Sequence, residues 1–108
     1  MAISIHLTYE GAFCRFFEIS GHSGYEQVGK DIVCAAVSAL AQTAILGVIE
    51  IAKAKPEYEI KDGYLSCRIN DEHAQDTQVN TILDTMVLGL EAVQQQFPAI
   101  LDITRSEV

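Results

Sequence analysis

The sequence predicts an α+β domain in which a largely antiparallel sheet packs in two layers against two helices, in the order ββαββα. Residues 3–9 and 13–20 alternate apolar and polar side chains, as half-buried strands do. Two longer stretches repeat apolar residues at helical spacing. An Asp62-Gly63 dipeptide separates two further alternating runs, which is typical of a hairpin. A chain of 108 residues has room for one such domain, spanning residues 1–108.

The first two strands are predicted to form an antiparallel hairpin. Apolar side chains occupy every second position from 3 to 9, and Gly11 then allows the chain to turn back. The second strand is expected over residues 13–20. The beginning of the sequence lacks the basic segment of a signal peptide, because alternating apolar and polar residues stand there instead.

A long helix is predicted from Asp31 to about Lys53. Before it, residues 21–30, GHSGYEQVGK, contain three glycines and no apolar period, which predicts a mobile connection. Apolar residues at helical spacing, with alanines around much of the remaining circumference, predict a helix that is mostly buried. Pro56 is expected to end it. Its polar side chains favour a core helix over a membrane span, which needs about 20 residues almost without polar interruption.

The second half of the sequence predicts another hairpin and another helix. The hairpin spans residues 58–69, and residues 70–76 are expected to form a polar loop or a helix cap. An apolar stripe from Val79 to Phe97 predicts an amphipathic helix that Pro98 stops. The pattern leaves open whether residues 100–104 add a last short strand.

Charge and cysteine content exclude several function classes. With 15 acidic and 7 basic side chains, the net charge of −8 disfavours nonspecific binding to nucleic acid and favours a basic or neutral macromolecular partner. Cys14, Cys34 and Cys67 are odd in number and include no CxxC pair, which argues against a disulfide framework and against a closed zinc site. A reducing cytoplasm is the expected location. Cys14 and Cys67 fall in strand patterns, which predicts small buried side chains.

Reactive and flexible features converge between Gly21 and Ser38. His22 lies among glycines just after a strand, where the backbone is free to bring an imidazole over a site. Asp31 is predicted as the N-cap of the helix, which puts Cys34 at the third helical position, where the helix dipole and a nearby imidazolium favour a thiolate. Each residue also has a purely structural interpretation, as a buried thiol, a solvated loop residue and a cap. The spacing alone does not decide between them.

The segment from Gly21 to Tyr25, GHSGY, and residues 29–38, GKDIVCAAVS, resemble the ribosomal-processing cysteine proteases called Prp. The resemblance extends over the whole chain in length and element order. It implies a catalytic dyad of His22 and Cys34 and a supporting role for Asp31. It also implies a cytoplasmic homodimer. We expect no metal or cofactor, no direct binding to nucleic acid and no association with a membrane. The implied substrate is the large-subunit ribosomal protein numbered twenty-seven, whose short N-terminal extension is removed after an aromatic residue.

The reaction that this resemblance implies is acyl transfer through a thioester. Cys34 attacks the scissile carbonyl, and His22 protonates the leaving amine and then activates water. From helix geometry, the first-turn amides near Val33 and Cys34 are candidate oxyanion donors. Ser38, four residues after Cys34, either lines the site or packs the helix. Tyr25 either contacts the substrate or anchors its loop.

The competing hypothesis is a non-catalytic, ribosome-associated binding or assembly protein. In that case Cys34 is structural, and the acidic surface simply docks a basic ribosomal protein. A thiol redox sensor is a weaker third hypothesis, because no second cysteine lies close to Cys34 in the sequence.

Overall fold

A computed structural model describes residues 3–21 and 30–108, with the backbone alone at residues 30 and 31. The described strands form one sheet, and the two helices pack on one side of it. The elements are β1 Ile3–Glu10, β2 Phe13–Ser20, α1 Lys30–Glu50, β3 Glu57–Lys61, β4 Tyr64–Arg68, a 3₁₀ turn Asp71–His73, α2 Thr77–Gln96 and β5 Leu101–Glu107. The predicted α+β fold is confirmed.

The described strands lie in the order β3-β4-β2-β1-β5. Neighbouring strands are antiparallel except β1 and β5, which run parallel with Ile3 opposite Leu101. The strand that the sequence left open therefore exists and extends to Glu107. Its start is fixed by the amide of Ile3, which donates to the carbonyl of Ile100 at 2.6 Å.

The core lies between the helices and one face of the sheet. The strands contribute the apolar residues at every second position, and each helix contributes one apolar stripe. These arrangements follow from the repeat of two residues in a strand and of about 3.6 residues in a helix. Cys14 and Cys67 are buried in this layer, as predicted. The largest fully buried side chains are Phe17, Ile3, Ile5, Leu7, Ile19, Ile69, Leu83, Leu90, Leu101, Val33, Val37 and Val48.

The outward face of α1 is exposed, so the prediction of a mostly buried helix is wrong for that face. The sheet covers one side and α2 covers a second, which leaves Ile32 and Leu46 68% and 59% exposed. Residues Ile32–Glu50 are long and apolar enough to cross a membrane by length and composition alone. A core helix satisfies the same test, and the buried stripe of α1 packs against the sheet.

Both ends of α1 differ from their predicted positions. The helix begins at Lys30, so Asp31 is a first-turn residue and not the N-cap. It ends at Glu50 rather than near Lys53, because Lys53 takes the left-handed conformation, with φ 59°. The chain reverses there, before Pro56, and the amide of Ala54 donates to the carbonyl of Val48 at 3.0 Å.

Two glycines allow α1 and α2 to approach closely. A Cβ atom at Gly47 would lie 3.3 Å from the side chain of Ile82, and one at Gly89 would lie 3.1 Å from Leu40. Because Gly47 meets the start of α2 and Leu40 meets its second half, the helices are antiparallel. The N-terminal end of α1 therefore lies beside the C-terminal end of α2.

Candidate active site

Cys34 lies near the N-terminal end of α1, where it is half-buried and packs against the core. Since the helix begins at Lys30, Cys34 is the fifth helical residue rather than the third. In a regular α-helix its amide is paired with the carbonyl four residues earlier, at Lys30. The amide of Cys34 is therefore unsuited to be an oxyanion donor, and this expectation is corrected. Donors from the first turn of the helix remain suitable.

Cys34 and Ser38 share the flank of α1 that faces away from α2. Leu40 and Gly47 mark the flank in contact with α2, since their neighbours are Gly89 and Ile82. At 100° per residue, Cys34 and Ser38 lie on the opposite flank, one turn apart. Ser38 is half-buried there, and both side chains border the same side of the helix.

The other predicted site residues lie outside what the structure describes. His22 and Tyr25 fall in residues 22–29, and only the backbone of Asp31 is described, in the first turn of α1. Gly21 is the last described residue before His22. It has a φ of 88°, and its amide donates to the carbonyl of Gly63 at 3.2 Å. β2 therefore ends beside the turn between β3 and β4.

The position of the β3–β4 hairpin is the feature that sequence reasoning missed. The dipeptide Asp62-Gly63 predicted a turn but not its neighbours. In the structure the turn lies at the end of the sheet where β2 leads towards α1. On the face away from the helices, the hydroxyl of Tyr64 donates to Glu18 at 2.9 Å, and the ammonium of Lys61 lies 5.6 Å from the centre of the Tyr64 ring.

Burial separates the other two thiols from Cys34. Desolvation raises the pKa of the Cys14 thiol to about 12, and desolvation likewise raises the pKa of Cys67 to about 12. Both are therefore neutral and inert at physiological pH. Of the three thiols, that of Cys34 is the most accessible to solvent. Among the side chains that the structure describes, in residues 3–21 and 32–108, no three from His, Cys, Asp or Glu are grouped closely enough to hold a metal ion.

Comparison with known proteins connects this arrangement to a class of enzyme. The family model described as "Cysteine protease Prp" matches residues 2–102. The ribosomal processing cysteine protease Prp of Bacillus subtilis is 29% identical over 94 residues, which cover 82% of each chain. The enzyme of the same name from Staphylococcus aureus strain Mu50 is 27% identical over 81 residues, covering 73% of this chain and 74% of the relative.

Solved structures show the same fold. A Streptococcus mutans protein superposes with a TM-score of 0.92 at 20% identity, covering 100% of both chains. The S. aureus protease Prp in complex with a substrate peptide superposes with a TM-score of 0.86 at 21% identity, covering 95% of this chain and 98% of the other.

The fold and the family match define a cysteine protease. The chain belongs to the Prp family, whose curated relatives are named ribosomal processing cysteine proteases.

Proposed function

We propose that this protease acts in the cytoplasm and removes the short N-terminal extension of the large-subunit ribosomal protein numbered twenty-seven, after an aromatic residue. The observation that best supports this proposal is the position of Cys34. It is half-buried near the start of α1, on the flank of the helix that faces away from α2. The names of the relatives and the S. aureus enzyme crystallised with a substrate peptide support a ribosomal protein substrate. The buried free thiols of Cys14 and Cys67 suit a reducing compartment.

In the proposed mechanism, Cys34 and His22 act as one unit. The thiolate of Cys34 attacks the scissile carbonyl, and His22 gives a proton to the leaving amine as the thioester forms. His22 then takes a proton from water, which hydrolyses the thioester and restores the thiol. Asp31 supports His22, while Tyr25 and Ser38 line the site. No metal or cofactor takes part in any of these steps.

We also propose that the active form is a homodimer joined through the outward faces of α1 and α2. Between the helices lies a groove of about 410 Å³ lined by residues that include Gly47, Ile82 and Met86. Leu46 and Leu88 protrude from the same face and are 59% and 67% exposed. A face that holds both protruding side chains and a groove suits two-fold pairing of identical copies.

The charge distribution supports this choice of face. Each copy has a net charge of −8, so two copies repel each other unless the contact itself is uncharged. The sequence of α1 contains no charged residue from Ile32 to Ile49. The outward face of α1 therefore brings no charge of its own into a contact between two copies.

The deciding experiment is incubation with the extended ribosomal protein, followed by intact-mass analysis. We expect loss of the extension with the wild type and no cleavage by Cys34→Ala, since removing the nucleophile of a well-studied triad costs on the order of 10⁶ in turnover. Cys67→Ala, which removes a buried thiol, is the matched control and should retain cleavage. Binding without cleavage by the wild type would support the non-catalytic hypothesis and overturn the proposal.

The dyad itself is tested by combining substitutions. His22→Ala should be about as damaging as Cys34→Ala, and the double variant little worse than either, because the two groups act together. Losses that multiply in the double variant would show that the two residues act independently.

A further inference from the structure

The flank of α1 that carries Cys34 faces the β3 end of the sheet. α2 packs on β5 and β2, so α1, which lies beside it, covers the half of the sheet that ends in β3. Cys34 and Ser38 lie on the flank turned away from α2. In that direction the described sheet ends at β3. The thiol therefore lies on the side of α1 that faces β3.

Alternate residues of β4 bond to its two neighbouring strands, as in any antiparallel sheet. The amide of Ile69 donates to the carbonyl of Arg15 at 2.8 Å, and the amide of Gly21 donates to Gly63 at 3.2 Å. The odd-numbered positions from 63 to 69 therefore face β2. The even-numbered residues of β4 consequently bond to β3.

These even-numbered residues lie opposite Glu57, Glu59 and Lys61. The peptide groups of those three residues therefore point towards β4, while the peptide groups of Tyr58 and Ile60 point out of the sheet. Along the β3 edge, two N–H and two C=O groups are thus presented to any further strand. Such an edge binds extended peptides in several unrelated domains.

The side chains of β3 alternate in chemistry between the two faces of the sheet. Tyr58 and Ile60 lie opposite buried residues of β4, on the side of the helices, yet they are 52% and 46% exposed. Glu57 and Glu59 lie on the other face and are also exposed. A strand added here would contact apolar surface on the Cys34 side. On the opposite side it would contact the carboxylates of Glu57 and Glu59, and the ammonium of Lys61 lies 3.3 Å from Glu59.

We propose that the substrate polypeptide binds as an added strand along β3, with apolar or aromatic side chains on Tyr58 and Ile60 and with Lys or Arg side chains towards Glu57 and Glu59. This inference rests on the proposed function, because the occupant is the polypeptide that Cys34 cleaves. An added strand lies about 4.8 Å from its neighbour. Where the added strand leaves the sheet on the side of the helices, it passes the flank of α1 that carries Cys34.

The net charge of −8 favours a basic substrate over a second copy of the chain at this edge. Ribosomal proteins are rich in Lys and Arg because they bind RNA phosphates. A second copy has the same net charge of −8, so pairing two β3 strands edge to edge brings together two chains that repel each other.

Proline substitution tests the role of the backbone edge. Ile60→Pro removes an outward N–H without removing a bond to β4, whereas Ile60→Ala removes only the side chain. We expect kcat/KM for the extended ribosomal protein to fall about tenfold further in the proline variant than in the alanine variant, as the loss of one hydrogen bond implies. Equal kcat/KM values for the two variants would overturn the proposal.

Charge removal tests the other face of the strand. The double variant Glu57→Gln and Glu59→Gln should lose severalfold in kcat/KM at low salt. The matched control, Asp102→Asn with Glu107→Gln, removes two exposed carboxylates from β5 at the opposite edge and should lose much less. Equal losses would assign the effect to net charge and overturn the inference about β3.

Hydrogen exchange gives a readout that does not depend on turnover. In Cys34→Ala protein, a peptide that spans the cleavage site should slow amide exchange at Tyr58 and Ile60. Unchanged exchange with bound peptide would overturn docking on β3 even if the wild type cleaves normally. Sedimentation of Ile60→Pro should show an unchanged oligomeric state, because a shift to monomer would identify a second copy as the occupant of β3. Failure of the wild type to cleave would instead refute the proposed function.

Discussion

The amide of Gly21 donates a hydrogen bond to the carbonyl of Gly63, and this bond fixes the end of β2 to the β3–β4 turn. Gly63 has a φ of 77°, which an L side chain rarely adopts. A change at this turn therefore acts on the start of the segment that carries His22.

We expect Gly63→Ala to lower both stability and activity. Placing a Cβ at positive φ costs about 1–2 kcal/mol and displaces the turn. Gly11→Ala is the matched control, since Gly11 has a φ of 59°, open space around it, and a position at the other end of the sheet. The measurements are the thermal midpoint and kcat/KM. Both variants should lose stability, and only Gly63→Ala should lose activity severalfold. Equal activities would show that this turn does not influence the site.

Thiol alkylation should distinguish Cys34 from the other two cysteines. Burial raises the pKa values of Cys14 and Cys67 to about 12, so neither forms appreciable thiolate at neutral pH. We expect iodoacetamide to modify Cys34 at least about tenfold faster in the native protein, as read by peptide mass analysis. All three thiols should react at similar rates in denaturant. Native reaction rates that are equal for the three would contradict an activated Cys34.

The outward helix face is tested by adding a charge to it. Leu46→Glu introduces a buried carboxylate into the proposed dimer interface, which is strongly unfavourable. We expect sedimentation to show a dimer for the wild type and a monomer for this variant at micromolar concentration. Ile60→Glu, at a similarly exposed apolar residue on β3, should remain a dimer. A wild type that sediments as a monomer would refute the dimer.

The cap of α2 should make stability depend on pH. The side chain of Asp76 accepts hydrogen bonds from the amides of Val79 and Gln78. The bond from Val79 has the largest effect, His73 contributes as well, and together these contacts hold the pKa of the Asp76 carboxyl below its usual range. A depressed folded-state pKa stabilises the protein above the unfolded pKa of about 3.9, and this contribution is lost as the pH falls through the folded value.

Asp76→Ala should therefore have a lower thermal midpoint than the wild type at neutral pH, and the difference should shrink in acid. Asp76→Asn retains an acceptor without the charge, so its difference from Asp76→Ala should depend little on pH. Thermal unfolding monitored by circular dichroism, from neutral to acidic pH, checks both expectations. A constant gap between wild type and Asp76→Ala would contradict the role of the carboxylate.

Local patterns predicted most of the elements but not how they meet. The apolar stripe from Val79 to Phe97 predicted α2, and Asp62-Gly63 predicted the second hairpin, because both signals lie within a few residues of chain. The parallel pairing of β5 with β1 depends on residues far apart in sequence, which no local period encodes. The left-handed conformation of Lys53, which ends α1, likewise has no compositional signal.

The site shows the same division. The motif predicts Cys34 as the nucleophile, whereas the side of α1 on which Cys34 lies depends on the strand order and on the side of α1 that α2 occupies. The exposed outward face of α1, which includes Leu46, was not predicted, because the alanines and apolar residues around the helix indicate burial on every side.

The pairing of β1 with β5 has a consequence for when the protein folds. β1 lies between β2 and β5 in the sheet. During synthesis β1 can pair with β2 early, but it can pair with β5 only after residues 101–107 have been made. Contacts between such distant segments form slowly, because a long loop must close first. During translation one edge of β1 stays unpaired and one wall of the core stays open. The sheet on which the enzyme depends thus stays incomplete until β5 has emerged.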